Sequence, residues 1–117
     1  MLVYPNITLN SQAASPPIYI NGADGGSGIQ VSYRQSSILI TSLGLICTLS
    51  NGASLTYSVQ VSADPPAGGI THWNNHDVLV AQTASANSNI LYPVTALRLN
   101  VTAYSSGSVT LGVAQWP

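Results

Sequence analysis

The chain predicts an all-β fold, an antiparallel β-sandwich of about eight strands. Three observations carry this expectation. Apolar and polar residues alternate with period two through most of the sequence, the mark of half-buried strands. Gly, Pro, Asn and Ser gather between these runs, where turns need them. No segment shows a sustained helical stripe with a capping residue.

Strands are expected at residues 2–9, 17–21, 28–34, 37–49, 54–63, 78–83, 90–103 and 108–115. Pro5, Pro16 and Pro17 suit edge positions, strand starts or bends, where a missing N–H does little harm. Gly22–Gly28 reads as a mobile loop or edge excursion before Ile29, Val31 and Tyr33 resume the alternation. Ile38–Leu49 is the longest apolar run, and Cys47 shares the parity of Leu43, Leu45 and Leu49, which makes it a core residue. Asn51-Gly52 predicts a hairpin into Leu55, Tyr57, Val59 and Val61. Pro93 marks a bend ahead of Leu97, Leu99 and Val101. Tyr104–Ser108 should then turn that strand back onto Val109, Leu111 and Val113. With this strand number a jelly roll is favoured over other Greek-key sandwiches, and residues 1–117 read as one domain.

Charge narrows the function. The chain has two arginines, three aspartates, no lysine and no glutamate. A free-standing domain normally keeps about a quarter to a third of its surface charged. An exterior of Ser, Thr, Asn, Gln, Gly and Tyr loses water cheaply and repels little, which suits a protein packed against other protein. Two arginines cannot neutralise a run of phosphates, so nucleic acid is excluded as a partner. The interrupted Ile38–Leu49 run is too short to span a bilayer, and no membrane partner is expected. No secretory signal is visible, and Asn6-Ile-Thr8 and Asn100-Val-Thr102 are read as chance glycosylation matches. Lone Cys47 has no basic neighbour in sequence to favour a thiolate.

Residues 64–77 break the alternation and gather both histidines, two aspartates and a tryptophan. Long irregular loops in compact domains are usually functional, so His72, Trp73, Asn74, Asn75, His76 and Asp77 form the candidate interface or ligand loop. His72, His76 and Asp77 carry the ligand types of a facial metal triad. In an extended chain, however, the two histidines would stand roughly 13 Å apart, beyond the reach of one ion. The alternative is that the histidines and Asp77 tie the loop by hydrogen bonds, with Trp73 packed beneath. Trp73 with Asn74, Asn75 and Asp77 also fits a carbohydrate platform. No Gly-x-Ser-x-Gly elbow exists, and no glutamate is present to build a carboxylate pair, so no enzyme, metal or cofactor is expected. Gly22–Gly28 matches no phosphate-binding pattern. Arg34 and Arg98 are each expected near an aspartate, within one copy or across an interface, because isolated desolvated charges are costly. Arg98 and Trp116 are candidate interface anchors.

From Thr71 onward the chain resembles small virion proteins of tailed bacteriophages. The runs that carry the likeness are His72-Trp73-Asn-Asn-His76-Asp77-Val-Leu79, Ala84-Ser-Ala-Asn87-Ser-Asn89, Tyr92-Pro93-Val94 through Leu97-Arg98-Leu99-Asn100-Val101-Thr102-Ala-Tyr104, and Ser106–Leu111. The resemblance implies a capsid decoration or cement protein, a small β-sandwich on the outer shell. Its implied partners are the major capsid protein and further copies of itself, a homotrimer favoured and a dimer possible. Its implied location is the capsid surface of the virion, after assembly in the host cytoplasm. No binding residue is carried over from it.

Overall fold

The computed structural model describes residues 2–20, 42–65 and 69–116, with only the backbone of Leu2 and Trp116. Within them the protein is an antiparallel β-sandwich. Its strands are β1 (Leu2–Val3), β2 (Ile7–Leu9), β3 (Ile18–Tyr19), β4 (Ser42–Leu49), β5 (Ser54–Ser62), β6 (Asn74–Asn75), β7 (Ala86–Ile90), β8 (Ala96–Ser106) and β9 (Val109–Trp116). Sheet A runs β1-β9-β4-β7, with β2 also on β9; sheet B runs β3-β8-β5-β6. The expected strand at 28–34, the start of that at 37–49, the Gly22–Gly28 loop and Arg34 lie outside the described residues.

Alternation decides which side chains meet between the sheets. Leu43, Leu45 and Cys47 of β4 and Val109, Leu111 and Val113 of β9 face Leu55, Tyr57, Val59 and Val61 of β5 and Leu97, Leu99 and Val101 of β8. Each buried aliphatic side chain here contributes roughly 1.5–3 kcal/mol through the hydrophobic effect. Cys47 belongs to this core as expected, and burial pushes its thiol up to about 11, so it stays protonated at neutral pH. The Tyr57 hydroxyl avoids an unpaired buried donor by bonding the Ala84 carbonyl at 2.8 Å.

Two expected hairpins are not hairpins. β4 and β5 lie in different sheets, as do β8 and β9, so residues 50–53 and 107–108 cross the sandwich as arches. The reason is visible in the partners. β4 pairs with β9 over eight residues and β5 with β8 over nine, and these long ladders outcompete a local ladder at either turn. The arches nest: the Ser50 N–H donates to the Ser108 carbonyl at 2.9 Å, and the Ser108 N–H to Ser50 Oγ at 3.0 Å. Gly107 sits at φ 85°, and a Cβ there would stand 2.4 Å from Ala53 Cβ, so glycine is required. Paired β4–β9 facing paired β5–β8 is an arrangement open to a jelly roll and to other Greek-key sandwiches alike.

Two further expectations are corrected. The strand expected at 90–103 begins only at Ala96, after the break around Tyr92-Pro93, and Ala86–Ile90 before that break forms a strand, β7, that was not expected. Residues 78–83 form no regular strand, because Val80 N–H turns back to the Val78 carbonyl and Ala81 takes φ 51°. They follow the edge of β5 through the bridge of Gln82 with Tyr57 and through the Leu79 carbonyl, which accepts the Val59 N–H at 2.8 Å.

Candidate functional site

The segment after β5 lies along one edge and the outer face of sheet B, and three groups fix it. Asp64 closes its first half. Its Oδ2 accepts the N–H groups of Thr71 at 2.9 Å and His72 at 2.7 Å, and the Thr71 hydroxyl at 3.2 Å. His72 Nδ1 stands 3.1 Å from the same oxygen, with the ring largely exposed. The Thr71 and His72 backbone donors, followed by the His72 ring, hold the Asp64 carboxyl down to about 2. Thr95 Oγ1 donates to the Asp64 carbonyl at 2.7 Å and ties this corner to the entrance of β8.

His76 fixes the second half. Its side chain is only 1% exposed, the mark of a structural ring. Nδ1 accepts the N–H groups of Val78 and Leu79, both at 3.1 Å. Nε2 therefore carries the proton and donates to the Asn89 carbonyl on β7 at 2.9 Å. His76 thus joins the cover of sheet B to the edge strand of sheet A. Asp77 Oδ1 lies 3.4 Å from Nδ1, but with that lone pair committed to two N–H groups no ion pair forms, and the carboxylate is 82% exposed.

The outer face of sheet B supplies the third group. Register places Asn75, Gln60 and Arg98 side by side across β6, β5 and β8. Gln60 Nε2 donates to Asn75 Oδ1 at 3.1 Å, and Arg98 Nε donates to Gln60 Oε1 at 2.7 Å. The guanidinium lies over partly buried Trp73, with Cζ 4.4 Å from the ring centroid, a cation–π contact. Burial lowers the Arg98 pKa by disfavouring the charged form.

The candidate loop residues therefore separate. Trp73 and Asn75 join Arg98, whereas His72 joins Asp64 and His76 bonds backbone. Asn74 pairs with Val61 in β6 and is exposed. The loop is tied by its histidines as expected, but Asp64 takes the part given to Asp77. Trp73 packs against Arg98 on the sheet. Among the described residues of one copy no carboxylate pairs with Arg98, and of the two expected placements of its aspartate this leaves the one across an interface open; a glutamine and an indole occupy its surroundings. His72, His76 and Asp77 do not converge, and no cluster of three metal-ligating side chains occurs among the described residues. Trp116 is described by its backbone alone, which pairs with Ser42.

Sequence reading missed Gln60, which orients Arg98. Its only signal was an outward position on an alternating strand, and the register that brings it beside Arg98 is set by β5–β8 pairing. It also missed the exposed apolar residues Val78, Leu91 and Tyr92. Asp77 lies close enough to Tyr92 to raise its pKa, an effect second to burial of the phenol.

Sheet A offers a different surface. None of its strands contains a charged residue. Its outer face presents Val3, Thr8, Gly44, Ile46, Thr48, Asn87 and Asn89, with Val3 64% and Ile46 58% exposed. No protein-family model, curated protein or solved structure matches the chain.

Proposed function

We propose that this is a structural virion protein, a capsid decoration or cement protein that binds the outer face of a bacteriophage head as a homo-oligomer. The observation that carries the reading is the outer face of sheet A, where small, hydroxyl and amide side chains surround exposed Val3 and Ile46 without one charge among the described residues. Such a face can lose its water to a neighbour without stranding an unpaired ion, and interface cores are depleted of charge for that reason. The chemistry asked of it is binding alone. A protein that binds the assembled lattice and not free shell subunits stabilises the lattice by mass action. The partner is the major capsid protein, and the site of action is the capsid surface. Binding of purified protein to empty, expanded phage heads tests this. Saturable binding that raises the temperature of head disruption is the expected result; a monomeric protein that leaves heads unbound overturns it.

A second reading, a carbohydrate- or receptor-binding module of a phage fibre or tail, draws support from Trp73, which stays partly exposed beside Asn74 and Asn75. Arg98 already occupies one face of its ring. This reading expects Trp73→Ala to abolish glycan binding in a folded protein, and a blank glycan array removes it.

A further inference from the structure

Arg98 is held in position by three neighbours, with the end of its guanidinium left unpaired among the described residues. Its Nε is committed to Gln60, Gln60 is braced by Asn75, and Trp73 fixes the plane of the guanidinium. The two terminal nitrogens have no partner among the described residues. They form the end of the fork that receives a carboxylate through two parallel hydrogen bonds. Because the fork is already oriented, less side-chain entropy is lost when the carboxylate arrives.

The described surface also holds a carboxylate without a cation. Asp64 is consumed by Thr71 and His72, whereas Asp77 is exposed and faces only a neutral imidazole. Its chain neighbour Val78 is exposed, and exposed Tyr92 lies close enough to feel its charge.

We propose that the Arg98–Trp73 clamp of one copy receives the Asp77 carboxylate of a second copy. This inference rests on the assembly reading and names the contact between copies. Charge complementarity selects the occupant, since cation and anion each lack a charged partner among the described residues of their own subunit. An exposed ion pair alone contributes little. Here Val78 and Tyr92 supply apolar area that excludes water around the pair, the arrangement in which a central charged contact gains strength. Clamp and Asp77 flank β6, the edge strand of sheet B. One two-fold contact can therefore form the pair twice, and a head-to-tail contact repeats it around a ring.

The test is charge reversal followed by sedimentation velocity over a concentration series. Arg98→Glu and Asp77→Arg should each weaken self-association about tenfold or more, because each sets like charges together. The double variant should recover it, and for a two-fold contact so should an equimolar mixture of the two single variants. Asp77 is exposed, so Asp77→Arg should keep the wild-type melting temperature, which separates loss of contact from loss of fold. A monomeric wild type, single reversals without effect, or a double variant that stays dissociated would each overturn the contact. So would self-association independent of Asp77 while a uronate-bearing oligosaccharide binds through Arg98. Head binding measured in parallel separates the two levels. A wild type that binds heads without this contact overturns the contact alone, and a wild type that neither associates nor binds heads overturns the assembly reading as well.

Discussion

No strand of sheet A carries a charged residue, whereas sheet B carries Arg98 and lies beside the segment that holds Asp64, His72, His76 and Asp77. The two sheets share one core and one alternating pattern, but their outer faces differ in what covers them. On sheet B the outward positions Ser58 and Ser62 are buried, and their hydroxyls accept N–H groups of Ala81 and Asp64. Serine at those positions pairs the backbone of an irregular cover. On sheet A the corresponding positions Val3, Thr8, Gly44, Ile46, Thr48, Asn87 and Asn89 are exposed, and no side chain there serves a covering segment among the described residues. Polar alternation alone therefore does not report solvent exposure: in one sheet it serves a covering segment, and in the other a bare face.

The largest effect on the covered side is expected at His76. Replacing it with Ala strands the Val78 and Leu79 N–H groups and the Asn89 carbonyl and leaves a cavity, at a cost of about 3 kcal/mol. Urea unfolding measures it, and a loss within experimental error would show that the ring does not tie the sheets. At the arches, Gly107→Ala should cost about 2 kcal/mol, because left-handed strain adds to a clash with Ala53. Gly52→Ala meets open space at φ 78° and should cost about 1 kcal/mol, the backbone term alone. Equal melting temperatures for the two variants would contradict the nested-arch geometry.

A smaller effect is expected at Asp64. Its folded pKa, about 2, lies below the ordinary carboxylate value of 3.8. The ionised group thus stabilises the fold above about pH 4, and this contribution fades as pH falls toward 2. Asp64→Asn should lower the melting temperature at pH 7, with the difference from wild type closing between pH 4 and 2. A pH-independent difference would show that the carboxylate charge is not what holds Thr71 and His72.

Periodicity made the sandwich, its core and the special character of 64–77 legible, because side-chain parity survives in one dimension. It could not show the strand partners. Asn51-Gly52 has the composition of a hairpin turn, yet β9 and β8 claim the strands on either side. The same limit hid the Gln60–Arg98 row, which exists only once register is set. Arg98 was singled out for its charge, but the glutamine and the indole that hold it within one copy were not foreseen. The roles of Asp64 and Asp77 were reversed for a related reason: nothing in the sequence separates a carboxylate that closes a loop from one left at its rim.

The claim that the bare face of sheet A is the assembly surface is tested most directly by cosedimentation of matched charge variants with empty, expanded phage heads. Ile46→Lys places a cation at the centre of that face, and Thr83→Lys places one on an exposed position beside β5. Both should fold with nearly wild-type stability, since both sites are exposed. The account predicts that Ile46→Lys loses about a hundredfold or more in head affinity, because a charge is desolvated without a partner, and that Thr83→Lys binds like wild type. Equal binding by the two variants, or loss confined to Thr83→Lys, would contradict it.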